Sequence, residues 1–347
     1  RYLIKGEERL MKNMNECYVI AEAGLNHNGS IEIAKQLIDV ASIAGADAVK
    51  FQKRTVNKLA IKATLDAPDD RFPEFGNTYR EIRNYLEFGF DEYCELKQYT
   101  ENNGLDFMAT AFDIDAVDFL ISVGVKHFKL ASHSLTNLEL LDYLAQKKMH
   151  TILSTGMAEL EEIDQAVGIF KKHNALLELM HCVSSYPTPL SDCNISMVGV
   201  LKARYDLPVG YSGHEIGYFP TVLAVSKGAQ MIERHYTLDN SMTGFDHKMS
   251  LEPDELISMI KDIRNVPRIV GTGKKLVSKT ELVTRLKYHV SAVSGLNINK
   301  GDVLVEKMIK YRNPGTGIPA KKISTLLGKT AIEDIPVDIL LSADMFT

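Results

Sequence analysis

From Tyr18 onward the sequence keeps one rhythm: a short apolar, β-branched run, then a longer stretch with helical spacing, eight times over. The runs are 18–24 (YVIAEAG), 48–53 (AVKFQK), 106–111 (DFMATA), 127–132 (HFKLAS), 150–156 (HTILSTG), 178–184 (ELMHCVS), 207–213 (LPVGYSG) and 230–237 (QMIERHYT). Between them, segments such as IEIAKQLIDVASIAGA and LEEIDQAVGIFKKHN space their apolar residues as amphipathic helices do. Apolar strands separated by helices imply a parallel sheet covered on both faces. Eight such units match a (β/α)8 barrel of about 250 residues. A doubly wound open sheet shares the alternation.

The strand ends favour the barrel. Each run turns polar at its C-terminal end: Glu22, Lys50 with Gln52, Thr110, Lys129 with Ser132, Ser154, Ser184, Ser212 with His214, and Glu233 with His235. In a closed barrel these ends converge on one mouth, whereas an open sheet would string them along a line too long for one small ligand.

Chemistry follows from which groups meet there. His214 and His235 end neighbouring strands, and two neutral imidazoles with water, carboxylate or substrate oxygens suit a divalent cation such as Mn²⁺. Hydrogen-bonded core or acid–base histidines are the alternative. Asp246 and His247, in TGFDHKMS, add a carboxylate and an imidazole, or else a solvated loop. Lys50 and Lys129 stand in apolar strands, where an unpaired ammonium is costly. With the hydroxyls of Thr110, Ser132, Ser154, Ser184 and Ser212 they suit a phosphate or carboxylate. A Schiff-base lysine and plain Lys–Glu pairing compete with that reading. Glu22 points at the mouth as an acid or base. Asn28-Gly29-Ser30 reads as a turn and helix N-cap. Glu233 and Arg234 are expected to alternate with an inward His235 as supporting residues.

Composition narrows the partners. The net charge is −5, with 40 basic and 45 acidic residues intermixed, so neither nucleic acid nor anionic membrane is expected. No Walker loop or GxGxxG fingerprint is present. Cys17, Cys94, Cys182 and Cys193 lie far apart without CxxC spacing, against a zinc ribbon or disulfide framework and in favour of a reducing cytoplasm. No apolar run reaches membrane-span length and no signal-peptide pattern opens the chain. Residues 1–16 read as an extension, with a native start expected at Met11 or Met14. After about Leu282 the pattern changes to short strands and turns. NKGDVLVEKM is faintly echoed by IPVDILLSADM, which suggests a small β-rich domain unable to stand alone.

IAEAGLNHNGS, AGADAVKFQK, YLEF, FKLAS, LSTGM, HCVSSYPTP, GYSGHE, ERHYTLD and DHKMSLEP, in that order, resemble the sialic acid synthase family. YRNPGTGIP and LLGK extend the resemblance into the terminal domain. It implies a (β/α)8 TIM barrel over 17–282 and an antifreeze-like (SAF, β-clip) domain over 283–347. It also implies condensation of phosphoenolpyruvate with an N-acetylated hexose, by C–O cleavage. By the same resemblance His214 and His235 hold the metal, Mn²⁺ first, with Mg²⁺ or Co²⁺ as alternatives. Lys50, Thr110, Lys129, Ser132, Ser154 and Ser212 match phosphoenolpyruvate positions, and Ser184 stands where some members have Asn. Glu22, Gln52, Tyr186 and Asp246 match residues around the acceptor sugar and its aldehyde, with Glu22, His235 and Asp246 catalytic. Tyr288 falls near an aromatic position of the sugar pocket. Arg312 matches an arginine that reaches a partner's sugar site, implying a homodimer with exchanged C-terminal domains. The acceptor is N-acetylmannosamine, its 6-phosphate, or a diacetamido sugar. A Schiff-base aldolase on the same fold and a non-catalytic sugar- or anion-binding barrel are the other classes.

Overall fold

The structure, a computed structural model, describes residues 16–347. The expected extension, apart from Glu16, and both candidate starts lie outside the described residues. The chain forms two compact units, one ending at Gly271 and the other beginning at Thr272. The helix Lys279–Tyr288, exposed throughout, belongs to the second.

In the first unit β1 (Tyr18–Gly24), β2 (Ala48–Lys53), β3 (Asp106–Ala111), β4 (His127–Leu130), β5 (His150–Ser154), β6 (Leu177–Cys182), β7 (Val209–Gly213) and β8 (Met231–His235) follow in chain order. They pair in parallel and close into an eight-stranded barrel, so the open-sheet alternative is excluded. At the seam β8 returns to β1 with His235 opposite Glu22, and Glu22 faces Lys50 across β2. Strands β4, β5, β6 and β8 end two residues before the apolar runs do, because the chain turns outward at the mouth. Ser132–Ser134, for instance, is already a 3₁₀ turn.

The period of two explains where the polar ends go. Ile20, Ala48, Met108, Ile152, Met180 and Met231 point inward and plug the barrel. Two residues further along the same strands, Glu22, Lys50, Thr110, Ser154, Cys182 and Glu233 also point inward, and there they line a cavity. The alternate positions, among them Val19, Val49, Phe107, Leu153, Leu179 and Ile232, face the helices and build the main core. Burying each of the larger side chains contributes about 1.5–3 kcal/mol. A one-residue slip of any strand would exchange its apolar and polar faces, so register and site are specified together.

The first loop behaves as its sequence predicts. Asn28 and Gly29 adopt left-handed φ of 50° and 73°. Ser30 then caps the helix Ile31–Ala44, its hydroxyl accepting from the Ile33 N–H at 3.3 Å. In the second unit β9 (Ser291–Ser294) pairs antiparallel with β10 (Ile309–Arg312). Both lie over a small core of Ala292, Ile298, Leu304, Ile323, Leu326, Ala331, Ile335, Leu341 and Phe346. Among the described residues no helix is long and apolar enough to cross a membrane.

Candidate active site

A cavity of about 310 Å³ opens at the C-terminal ends of the strands. That lies at the small end of the range for ligand sites, roughly 300–1,000 Å³. Its floor is ionic. Lys50 Nζ lies 2.8 Å from Glu22 Oε2 and 3.7 Å from Glu233 Oε1, and Lys129 Nζ lies 3.5 Å from the same Glu233 oxygen. All four are buried, so the lysines are paired within the barrel as well as facing the cavity. Burial lowers the Lys129 pKa, with Glu233 working against it. Burial alone would raise the Glu233 carboxyl, but Lys129 and then Lys50 overcome it and hold that carboxyl below its ordinary value.

Hydroxyls ring the two ammonium groups. Lys50 Nζ donates to Thr110 Oγ1 and Lys129 Nζ to Ser154 Oγ, each at 2.6 Å. Ser212 Oγ donates to Glu233 Oε1 at 3.2 Å, and Ser132 Oγ accepts from the Gly156 N–H at 2.9 Å. Ser184 also lines the cavity. Gly156 keeps this corner open: a Cβ there would sit 2.8 Å from Ser132 Oγ and closer still to Ser184 Oγ. Cation and hydroxyl donors converging on one volume form a receptor for an oxyanion.

Above them stand the two imidazoles, ring centroids 5.7 Å apart. His214 Nδ1 lies 2.9 Å from the Val183 carbonyl, which can only accept, so Nδ1 carries the proton and Nε2 keeps its lone pair. His235 Nδ1 is buried without a hydrogen-bond partner, 3.8 Å from Asp246 Oδ2. Burial depresses both histidines below the usual range, keeping them neutral. Two neutral imidazoles from adjacent strands, one tethered to a backbone carbonyl and one with an orphaned nitrogen, fit a divalent cation. Among the described residues no three His, Cys, Asp or Glu side chains form a ready-made metal cluster, so water or substrate would have to complete the shell. The Tyr186 ring packs against His214, tilted by 38° with centroids 4.2 Å apart, and Gln52 donates to Glu22 Oε1 at 2.6 Å.

A family model described as NeuB family matches residues 37–275. The chain belongs to the NeuB family. It is 38% identical to the N,N'-diacetyllegionaminic acid synthase of Legionella pneumophila, over 90% of this chain and 89% of that protein. It is 34% identical to the human N-acetylneuraminate-9-phosphate synthase, over 95% of this chain and 92% of that one. Among solved structures, the N-acetylneuraminic acid (sialic acid) synthetase of Leptospira borgpetersenii, in complex with citrate, superposes with a TM-score of 0.67 at 36% identity. The match covers 78% of this chain and 91% of that one. As a NeuB-family member the chain is an enzyme of the sugar-acid synthase type, and the resemblance drawn from its motifs holds.

Within this NeuB-family barrel the cavity gathers Glu22, Lys50, Gln52, Thr110, Lys129, Ser132, Ser154, Ser184, Tyr186, Ser212, His214, His235 and Asp246. Tyr288 and Arg312 lie in the second unit, both exposed, with Arg312 paired to Asp338. One expectation needs correcting. Glu233 does not alternate with His235. Two residues apart on one strand, they share the inward face, and only Arg234 turns away. Arg234 Nη1 instead donates to Glu215 Oε1 and Thr221 Oγ1, each at 2.8 Å, bracing the residue next to His214. His247 is likewise structural: buried, with Nδ1 at 2.7 Å from Thr237 Oγ1 and Nε2 at 3.2 Å from Asn28 Oδ1. Arg54, Arg83 and His133 line the cavity without having been singled out. The same parity would have found Arg54, two residues past Gln52. Arg83 sits on the loop helix Tyr79–Tyr85, where strand periodicity says nothing.

Proposed function

We propose that this enzyme condenses phosphoenolpyruvate with an N-acetylated hexose, releasing phosphate and forming a 2-keto sugar acid. The observation that carries the reading is the stacking of two functions in one cavity: an oxyanion receptor built on Lys50 and Lys129 lies beneath a pair of neutral imidazoles. The relatives named as legionaminic acid and neuraminate-9-phosphate synthases support it.

In this reading Lys50, Lys129 and the hydroxyls of Thr110, Ser132, Ser154, Ser184 and Ser212 hold the phosphate and carboxylate of phosphoenolpyruvate. That orients its enol carbon toward the acceptor. Gln52, Tyr186 and Asp246 bind the sugar near its aldehyde. His214 and His235 would hold a divalent cation, Mn²⁺ ahead of Mg²⁺ or Co²⁺, which would supply Lewis-acid polarisation of the aldehyde. The enol carbon bonds to the aldehyde carbon, leaving an oxocarbenium centre at C2. Water adds there, and the C2–O bond to phosphate breaks so that phosphate departs with the bridging oxygen. Glu22, oriented by Gln52 and Lys50, takes one proton from that water and with Asp246 passes it to the former aldehyde oxygen, while the second proton leaves with the phosphate as the C2 carbonyl forms.

The second unit is read as the antifreeze-like domain, contributing Tyr288 and Arg312 to a partner's sugar pocket in a domain-exchanged homodimer. The four free cysteines suit a reducing cytoplasm. The test is phosphate release from phosphoenolpyruvate with a panel of N-acetylated hexoses, before and after metal removal. Release should require a sugar, disappear with EDTA and return with Mn²⁺. Full activity of a verified metal-free preparation contradicts the metal assignment. A lysine–pyruvate adduct trapped by borohydride would instead favour the Schiff-base reading, which the ion-paired state of both lysines disfavours.

A further inference from the structure

We propose that Arg54 and Arg83 form a second oxyanion subsite at the cavity mouth, which selects an acceptor sugar carrying a negatively charged group away from its aldehyde. The inference rests on the proposed reaction and specifies its acceptor.

Lys50, Gln52 and Arg54 follow one another at two-residue intervals, and all three line the cavity. At about 3.3 Å per residue of extended chain, the Arg54 Cα lies roughly 13 Å beyond that of Lys50. The ladder therefore has an anion-binding rung at the floor, an amide beside the acceptor position and a guanidinium at the mouth.

Arg54 is more than nine-tenths buried, stacked 4.0 Å from the centre of Phe112. One of its terminal nitrogens donates to Gln52 Oε1, while Nη1 has no hydrogen-bond partner and only a long approach, 3.8 Å, to Glu87. That carboxylate is already engaged by Lys53 at 3.1 Å. Arg83 also lines the cavity, packed 4.3 Å from the centre of Phe245, and its Nε is buried and unpartnered. Among the described residues Arg83 makes no ion pair. Lys53 and Arg54 thus share the Glu87 carboxylate while Arg83 has none, and a buried cation left short of partners is costly unless a ligand completes it. Burial first, and the Arg83 charge next, lower the pKa of Arg54, consistent with two guanidiniums held in each other's field. A planar guanidinium suits the oxygens of a phosphate ester or a carboxylate equally.

The experiment compares kcat/KM for an N-acetylated hexosamine, its 6-phosphate and its 6-carboxylate, in the wild type, Arg83→Gln and Arg54→Lys. The wild type should prefer an anionic acceptor by about tenfold or more, and the two anionic arms say which anion fits. Arg83→Gln should raise KM for the anionic acceptor about tenfold and erase the preference, with KM for phosphoenolpyruvate within about twofold of wild type. Equal or better use of the neutral sugar by the wild type overturns the proposal, as does a preference that survives both substitutions. A rise in KM for phosphoenolpyruvate alone would assign the arginines to that ligand and overturn it too. If no sugar supports phosphate release, the proposed reaction fails. Calorimetric titration of the 6-phosphate and 6-carboxylate then tests the subsite by itself: tighter binding than the neutral sugar, lost in Arg83→Gln, upholds it, and identical affinities overturn it.

Discussion

Lys129 is gripped by Ser154 Oγ at 2.6 Å and Glu233 at 3.5 Å, and Lys50 by Glu22 at 2.8 Å. Each lysine therefore does two jobs: it neutralises a buried carboxylate and offers an ammonium to an incoming anion. Substituting Met removes both. Losing a charged hydrogen bond to the substrate costs about 2–3 kcal/mol, on the order of 100-fold in kcat/KM for phosphoenolpyruvate. Leaving Glu22 or Glu233 unpaired costs about 3–5 kcal/mol of stability. Lys50→Met and Lys129→Met should show both losses, read by steady-state kinetics and thermal unfolding. A variant that loses stability while keeping its KM for phosphoenolpyruvate would make that lysine a structural counter-ion only. The contrast with Arg234 is useful, because Arg234 and Glu215 form a closed pair outside the cavity and should affect stability first.

At the scale of elements, the strands were legible because their inward positions pass from apolar to polar within one pleat, as from Ile20 to Glu22 or Met108 to Thr110. Parity also says that Glu233 must share the face of His235, so that signal was present and misread. Arg83 was not legible, since a helix within the β2 loop reaches the cavity through tertiary packing alone. His247 could not be told from a ligand by its spacing; only its two hydrogen bonds, to Thr237 and Asn28, settle that it braces loops.

The β1 loop makes a pH prediction. His27 is buried, stacked on Phe88 at 4.3 Å, and its Nδ1 accepts the Gly29 N–H at 3.1 Å. Burial first, then the charges of Arg54 and His247, lower its pKa to about 3. The unfolded chain, with an ordinary histidine near 6.5, binds the proton first. The stabilisation is thus complete above pH ~6.5 and is lost as pH falls toward 3. At pH 5 the loss from this group is about 2 kcal/mol. Denaturant unfolding of wild type and His27→Gln should converge by about that amount between pH 7 and pH 5. Parallel profiles would mean that His27 is not held neutral.

For the whole molecule, the proposed exchange of second units places Arg312 in a partner's sugar pocket. Arg312 is exposed and paired with Asp338, a salt bridge weak enough to yield to a ligand. Mixing His235→Ala chains with Arg312→Ala chains tests it. If the arginine acts across the dimer, half the sites of a heterodimer carry both defects and the rest carry neither, so subunit exchange should restore activity from two impaired parents. Verified exchange without recovery would return Arg312 to its own chain or to another role.

The central claim is that one cavity both holds phosphoenolpyruvate as an anion and directs its enol carbon to an aldehyde, so that phosphate leaves by C–O cleavage. Phosphoenolpyruvate labelled with ¹⁸O at the bridging oxygen addresses it directly. Incubated with enzyme, Mn²⁺ and an accepted N-acetylated hexose, it should deliver the label to inorganic phosphate, one phosphate for each keto acid formed. Label retained in the organic product, or phosphate released without any sugar, would contradict the mechanism drawn from this site.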